Sequence, residues 1–197
     1  MNKIMYSIVT TGPLVEPIDR DDIAKLDLKL LDETTEDDLL DILIQAAREW
    51  VEENTGRSLI TQSRVIKFDY FPSIIELTNG PVQADSVVVK YFDSDDIEQT
   101  LDSDDYWVDT HSQIARVVVK NSWPSTMCRP NAVSVEYDAG YGDSADDVPD
   151  ALKKACLFML GHFYENRQNV SPVNSSEVPE AAYPLIRPYI ITQYAGY

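Results

Sequence analysis

Apolar residues recur at helical spacing in two stretches of the chain and alternate with polar ones in the stretch between them. The first helical stretch opens at Thr35, a good N-cap, with Glu36, Asp37 and Asp38 where the helix dipole favours negative charge. Leu39, Leu40, Leu43, Ala47, Trp50 and Val51 then return every three or four residues. Ile42, Ile44 and Ala46 widen that stripe, so burial on more than one side is expected. Asn54-Thr55-Gly56 ends the helix, with Gly56 placed for the left-handed C′ position. The second helix runs from Ala151 to Tyr164 and ends near Arg167, with Pro149 expected at N1 and Asp146, Asp147 and Asp150 near its start. Upstream, residues 6–18 read as an extended lead-in. A short helix within Asp19–Leu31 would place Ile23, Leu26 and Leu30 on one side.

After Gly56 the period falls to two. Arg64 to Phe71 alternates as a strand and Pro72 stops it. Further strands are expected at Ile74–Thr78, Ser86–Phe92, Glu98–Leu101, Tyr106–Val108, Ala115–Val119 and Ala132–Tyr137. Asp93–Asp96 is a turn joining two of them as a hairpin, and Thr110-His111-Ser112-Gln113 splits another pair. Short strands at this spacing predict an antiparallel sheet or small sandwich. The fold class is therefore α+β. Two long helices and short ones form a helical core, an antiparallel β module is inserted between them, and an extended C-terminal arm follows. The corresponding boundaries are 1–58 for the lead-in and first helical part, 59–142 for the β module, 143–170 for the second helical part and 171–197 for the arm. Pro172, Pro179, Pro184 and Pro188 punctuate the arm. It nevertheless keeps aromatic and aliphatic residues that a purely disordered tail lacks, so it is expected to pack on its own domain or on a neighbour.

Charge narrows the choice of partners. The 197 residues hold 34 Asp+Glu against 16 Lys+Arg, a net charge of -18. Acid concentrates in residues 16–41 and 93–105. Gripping DNA by its phosphates needs clustered Lys and Arg, so that mode is excluded. A solvated acidic face, an acidic wall that lets DNA slide past, and a DNA mimic that occupies a host DNA-binding protein all fit such a surface. No apolar run approaches the ~18 residues needed to span a bilayer. Residues 1–15 lack the features of a secretory signal. Cys128 and Cys156 are expected as free thiols in a reducing cytoplasm.

Candidate chemistry is sparse. His111 and His162 are the only histidines, and with Cys128 and Cys156 they are scattered singly, without metal-site spacing. Asp93-x-Asp95 fails as a calcium loop, because Ile97 and Glu98 stand where an oxygen ligand and a glycine are needed. There is no G-x-S-x-G, phosphate-binding loop or dinucleotide fingerprint. No enzyme activity, cofactor or metal is expected.

An ordered set of short matches spans Glu36 to Arg167. The first is Asp38-Leu39, Ala46-Ala47-Arg48 and Thr55-Gly56-Arg57 followed by Leu59-Ile60. Gly80-Pro81-Val82, Ser86-Val87, Val89-x-Tyr91, Tyr106-x-Val108 and Trp123-Pro124 follow. Val135-x-Tyr137-x-Ala139-Gly140-Tyr141-Gly142, Val148-Pro149 and His162-x-Tyr164-Glu165-Asn166-Arg167 close it. In this order the segments resemble the head–tail connector (adaptor) proteins of tailed bacteriophages, in the subgroup with a β-rich insertion. Two departures are Ser94-Asp95-Asp96, where Asp-Gly is usual, and a longer, more aromatic tail.

The resemblance implies a structural virion protein made in the host cytoplasm. It would assemble as a homo-oligomeric ring, usually a dodecamer, under the portal protein. It would extend the DNA channel without binding DNA specifically and dock the next neck or tail component. No membrane is involved. Trp50 and Phe158 are expected to anchor the helical core, while Trp123-Pro124 and Gly140-Tyr141-Gly142 shape the passage from sheet to second helix. Arg167, Tyr183, Tyr189, Ile190 and Tyr194 are the candidates for docking on another subunit or on the portal.

Overall fold

The computed structural model describes residues 7–30, 34–166 and 180–191. It is an α+β fold, and the chain divides into two compact units. One holds Met1–Pro13 and Thr61–Gly140, the other Leu14–Ile60 and Tyr141–Tyr197.

The β unit contains eight strands among its described residues: β1 (Ile8–Thr11), β2 (Gln62–Phe68), β3 (Ile75–Leu77), β4 (Val88–Phe92), β5 (Glu98–Thr100), β6 (Tyr106–Asp109), β7 (Ala115–Val119) and β8 (Val133–Ala139). Pairing is antiparallel throughout, in a five-stranded sheet β1-β2-β8-β4-β5 and a three-stranded sheet β3-β7-β6. The lead-in expected only as extended chain supplies the edge strand β1, paired with β2 through Ile8 opposite Val65. Strand β8 pairs with both β2 and β4, and its side chains alternate strictly between buried and half-buried. Its inward residues Val135, Tyr137 and Ala139 meet Ile66, Val89, Ile75, Leu77 and Val117, so residues of both sheets share one core. Two buried tyrosines satisfy their hydroxyls on backbone carbonyls, Tyr106 on Val87 and Tyr137 on Thr78. The Gly80–Pro81 peptide is cis, and Val82 bridges Ala139 at the end of β8.

The helical unit packs α2 (Asp37–Thr55) against α3 (Asp150–Glu165), with α4 (Ala182–Ile186) packed on α3. Ile44, Ala47 and Val51 from α2 meet Leu152, Ala155, Cys156, Met159 and Leu160 from α3 in the core. Gly56 ends α2 with a φ of 69°, the left-handed conformation that favours glycine.

Four local expectations shift. The N-cap of α2 is Glu36, not Thr35, and its side chain makes no cap bond. The Tyr164 hydroxyl donates to the Glu36 carboxylate, tying the start of α2 to α3. Pro149 is the N-cap of α3, not N1, and its carbonyl accepts from Leu152 and Lys153. The short helix expected within Asp19–Leu31 is present as α1 (Lys25–Leu28), but a wide turn (Arg20–Ala24) leads into it. The Ala24 amide donates to the Asp19 carbonyl five residues back, which moves the turn out of 3.6-residue phase. Ala24 and Ile18 are buried, and Ile23, expected on the apolar side, is exposed. Finally, Ile42 does not extend the buried stripe of α2: Ile44 is 2% exposed and Ile42 64%.

Candidate functional site

The side chains that sequence reading associated with catalysis or metals stand apart. His111 is exposed in the β6–β7 turn and His162 lies on α3 beside Phe163 and Asn166. Cys128 is exposed, whereas Cys156 is buried and burial pushes its thiol pKa up. Asp93 is a turn residue whose carboxylate accepts from the Gln99 side chain and from the Ile97 and Asp95 amides, and these bonds, Gln99 first, hold its pKa down. Among the described residues no cluster of three or more His, Cys, Asp or Glu is placed to hold a metal ion.

The helical unit concentrates its polar structure in two places. The first is the strap from Leu14 to Leu28, held on α2 by cations. Arg48 is 5% exposed, and its guanidinium meets Glu16 at 2.8 Å and Glu52 at 2.9 Å. Lys25 is buried against Asp37 at 2.7 Å and Asp21 at 2.9 Å. Arg20 bonds Asp41 at 2.9 Å and Asp21 at 3.2 Å. These charges are buried or half-buried because each has an opposite charge within hydrogen-bond reach. Sequence reading missed this network. Its one signal was Arg48 itself, a charge lying within the buried arc of Ile44, Ala47 and Val51.

The second place is the C-terminal end of α2. Arg57 donates to the Tyr189 carbonyl at 2.6 Å, and the Ile191 amide donates to the Thr55 carbonyl at 2.9 Å. Tyr183 packs edge-on against Trp50 with ring centroids 5.8 Å apart, and stays 46% exposed. The residues 180–191 are thus seated on their own unit, with Ala182 and Ile186 in its core.

Trp50 and Phe158 are half-buried and packed on the helical core, with the Lys154 ammonium 4.9 Å from the Phe158 ring centre. Trp123 belongs to the β unit, stacked on Phe71 at 4.5 Å, and Pro124 is half-buried beside it in sequence. Gly140 donates its amide to Pro81. Gly142 lies so close to the Asp147 side chain that no Cβ fits there. Tyr189 packs on the helical core and Ile190 is 36% exposed. Arg167 and Tyr194 lie outside the described residues.

No protein-family model and no curated protein matches the chain. Solved structures do. A chain of the "Neck of empty GTA particle computed with C6 symmetry" superposes with a TM-score of 0.81 at 18% identity, covering 98% of this chain and 99% of that one. A chain of the "Virion of native gene transfer agent (GTA) particle" does so at 0.79 and 18%, over the same shares. A chain of the "Neck of native GTA particle computed with C12 symmetry" gives 0.72 at 16%, over 99% of both chains. At these identities the likeness shows a common fold, and that fold extends over nearly the whole of each chain.

Proposed function

We propose that this chain is a structural virion protein of the neck, a head–tail connector subunit that forms a ring beneath the portal. The observation that carries the reading is the near full-length fold shared with chains of gene transfer agent necks, one of them computed with C12 symmetry. The ordered motifs from Glu36 to Arg167 support it independently, because they rest on residue identity and not on the fold. The surplus of acid suits a channel past which DNA slides, since like charge avoids the phosphates. The subunit would contact itself around the ring, the portal above and the next neck or tail protein below.

Native mass spectrometry of the purified protein, alone and then mixed with its cognate portal protein, tests the proposal. A closed homo-oligomer or a stoichiometric portal complex is expected. A monomer in both conditions would overturn the reading, and a DNA mimic would become the reading to test, by competition with DNA for a basic protein.

A further inference from the structure

We infer that the groove between the strap and α2 in the helical unit is a docking site for a basic, aliphatic-bearing polypeptide segment of another protein. The groove encloses about 700 Å³ and lies wholly within this unit. Ile18 and Ile44, each 2% exposed, contribute to its lining from the core side. Val15 and Ile42 also line it, at 43% and 64% exposed. Ile42 stands out on α2, where Asp38, Asp41, Gln45 and Glu49 are its exposed companions. An aliphatic side chain on that face gains by being covered.

Charge selects the occupant. The lining carries five carboxylates, Glu16, Asp19, Asp21, Asp41 and Asp143, against the single guanidinium of Arg20. Arg20, Lys25 and Arg48 already pair with Asp41, Asp21 and Glu16, so the negative surplus that an incoming cation meets beside the apolar lining comes from Asp19 and Asp143, which stand outside these pairs. A second copy of this chain is a poor source of that cation. The chain carries 16 basic residues against 34 acidic ones, and Arg20, Lys25, Arg48, Lys90, Arg116 and Arg129 are engaged in its own ion pairs. The inference goes beyond the connector reading and holds whether or not the chain forms a ring.

The test uses the full chain and a fluorescent twelve-residue probe, acetylated and amidated, built from Lys and Leu. Two controls replace every Leu by Ser or every Lys by Glu. The Lys/Leu probe is expected to bind, and each control at least about tenfold more weakly. Ile42→Ser and the pair Asp41→Asn with Asp143→Asn should each weaken the Lys/Leu probe about tenfold. Asp104→Asn with Asp105→Asn, in the β unit, should leave it unchanged. Circular dichroism melts establish that all variants fold. Absence of binding, or equal weakening by the two acid-removing pairs, would overturn the inference. So would Ile42→Ser changing self-association in place of probe binding, since the groove would then belong to a contact between copies.

Discussion

A charge inside a protein persists only where opposite charge or hydrogen bonds replace its water, and Arg48 meets that condition twice. Arg48→Met would keep the packing volume and leave Glu16 and Glu52 without their guanidinium. Because the Glu16 side chain is 32% exposed and water relieves part of its cost, a loss of about 2–3 kcal/mol is expected, below the range for a fully buried pair. Urea unfolding measures it, and an unchanged midpoint would show that the strap does not depend on this bond. Asp109 shows the same chemistry in the β6–β7 turn. The Ser112 hydroxyl first, then Arg116 and the amides of His111 and Ser112, hold its pKa down at about 2, below the ordinary 3.8. A depressed carboxylate pKa stabilises the fold above the unfolded value, and that contribution is lost as pH falls toward the folded one. The melting temperature of the native chain should therefore drop more steeply between about pH 5 and pH 2 than that of Asp109→Asn, the two curves converging at the acid end. Parallel curves would show that the turn does not use the charge.

At the scale of elements, α4 shows how a five-residue helix becomes ordered. A helix so short is unstable by itself, so Ala182 and Ile186 in the core and the Arg57–Tyr189 bond must hold it. The Trp50–Tyr183 edge contact adds to these. A double-mutant cycle of Trp50→Leu and Tyr183→Leu should give a coupling of about 0.5–1.5 kcal/mol, and zero coupling would mean the rings merely share a surface. Long, strongly periodic elements were legible in advance. Helix α2 was readable to its Gly56 terminus, and the β4–β5 and β6–β7 hairpins were readable from alternation and their acidic or polar turns. The wide turn at Arg20–Ala24 was not, because periodicity assumes a fixed angle per residue and the Asp19–Ala24 bond breaks it. Strand β1 was not legible for a different reason. All four of its residues are exposed, so it has no inward face to leave an alternating pattern, and its pairing with β2 is made by backbone.

At the scale of the whole molecule, a charge of -18 opposes any assembly of identical copies. Salt shortens the reach of that repulsion, from about 30 Å at 0.01 M to about 8 Å at 0.15 M. If the chain forms a ring, raising salt over this range should increase the oligomeric fraction seen by analytical ultracentrifugation. A falling fraction would mean that attractive ion pairs, not net repulsion, dominate the subunit contact.

Some of this was determined by sequence alone. The hydrophobic period selected helix or strand for the long elements, Gly56 ended α2, and the surplus of acid was fixed by composition. Such signals are local, so they fix the type of a long element better than its ends: the N-cap of α2 is Glu36 and not Thr35. What covers each face was decided by tertiary structure. Ile42 and Ile44 are two residues apart on one helix, yet one is exposed and the other is core. Lys25 and Arg48 are buried because Asp37, Glu16 and Glu52 arrive from elsewhere in the chain or from the next turn. A period states which side of an element a residue occupies. Only packing settles what lies against that side, and the groove at Ile42 exists because the strap and α2 leave a cleft there.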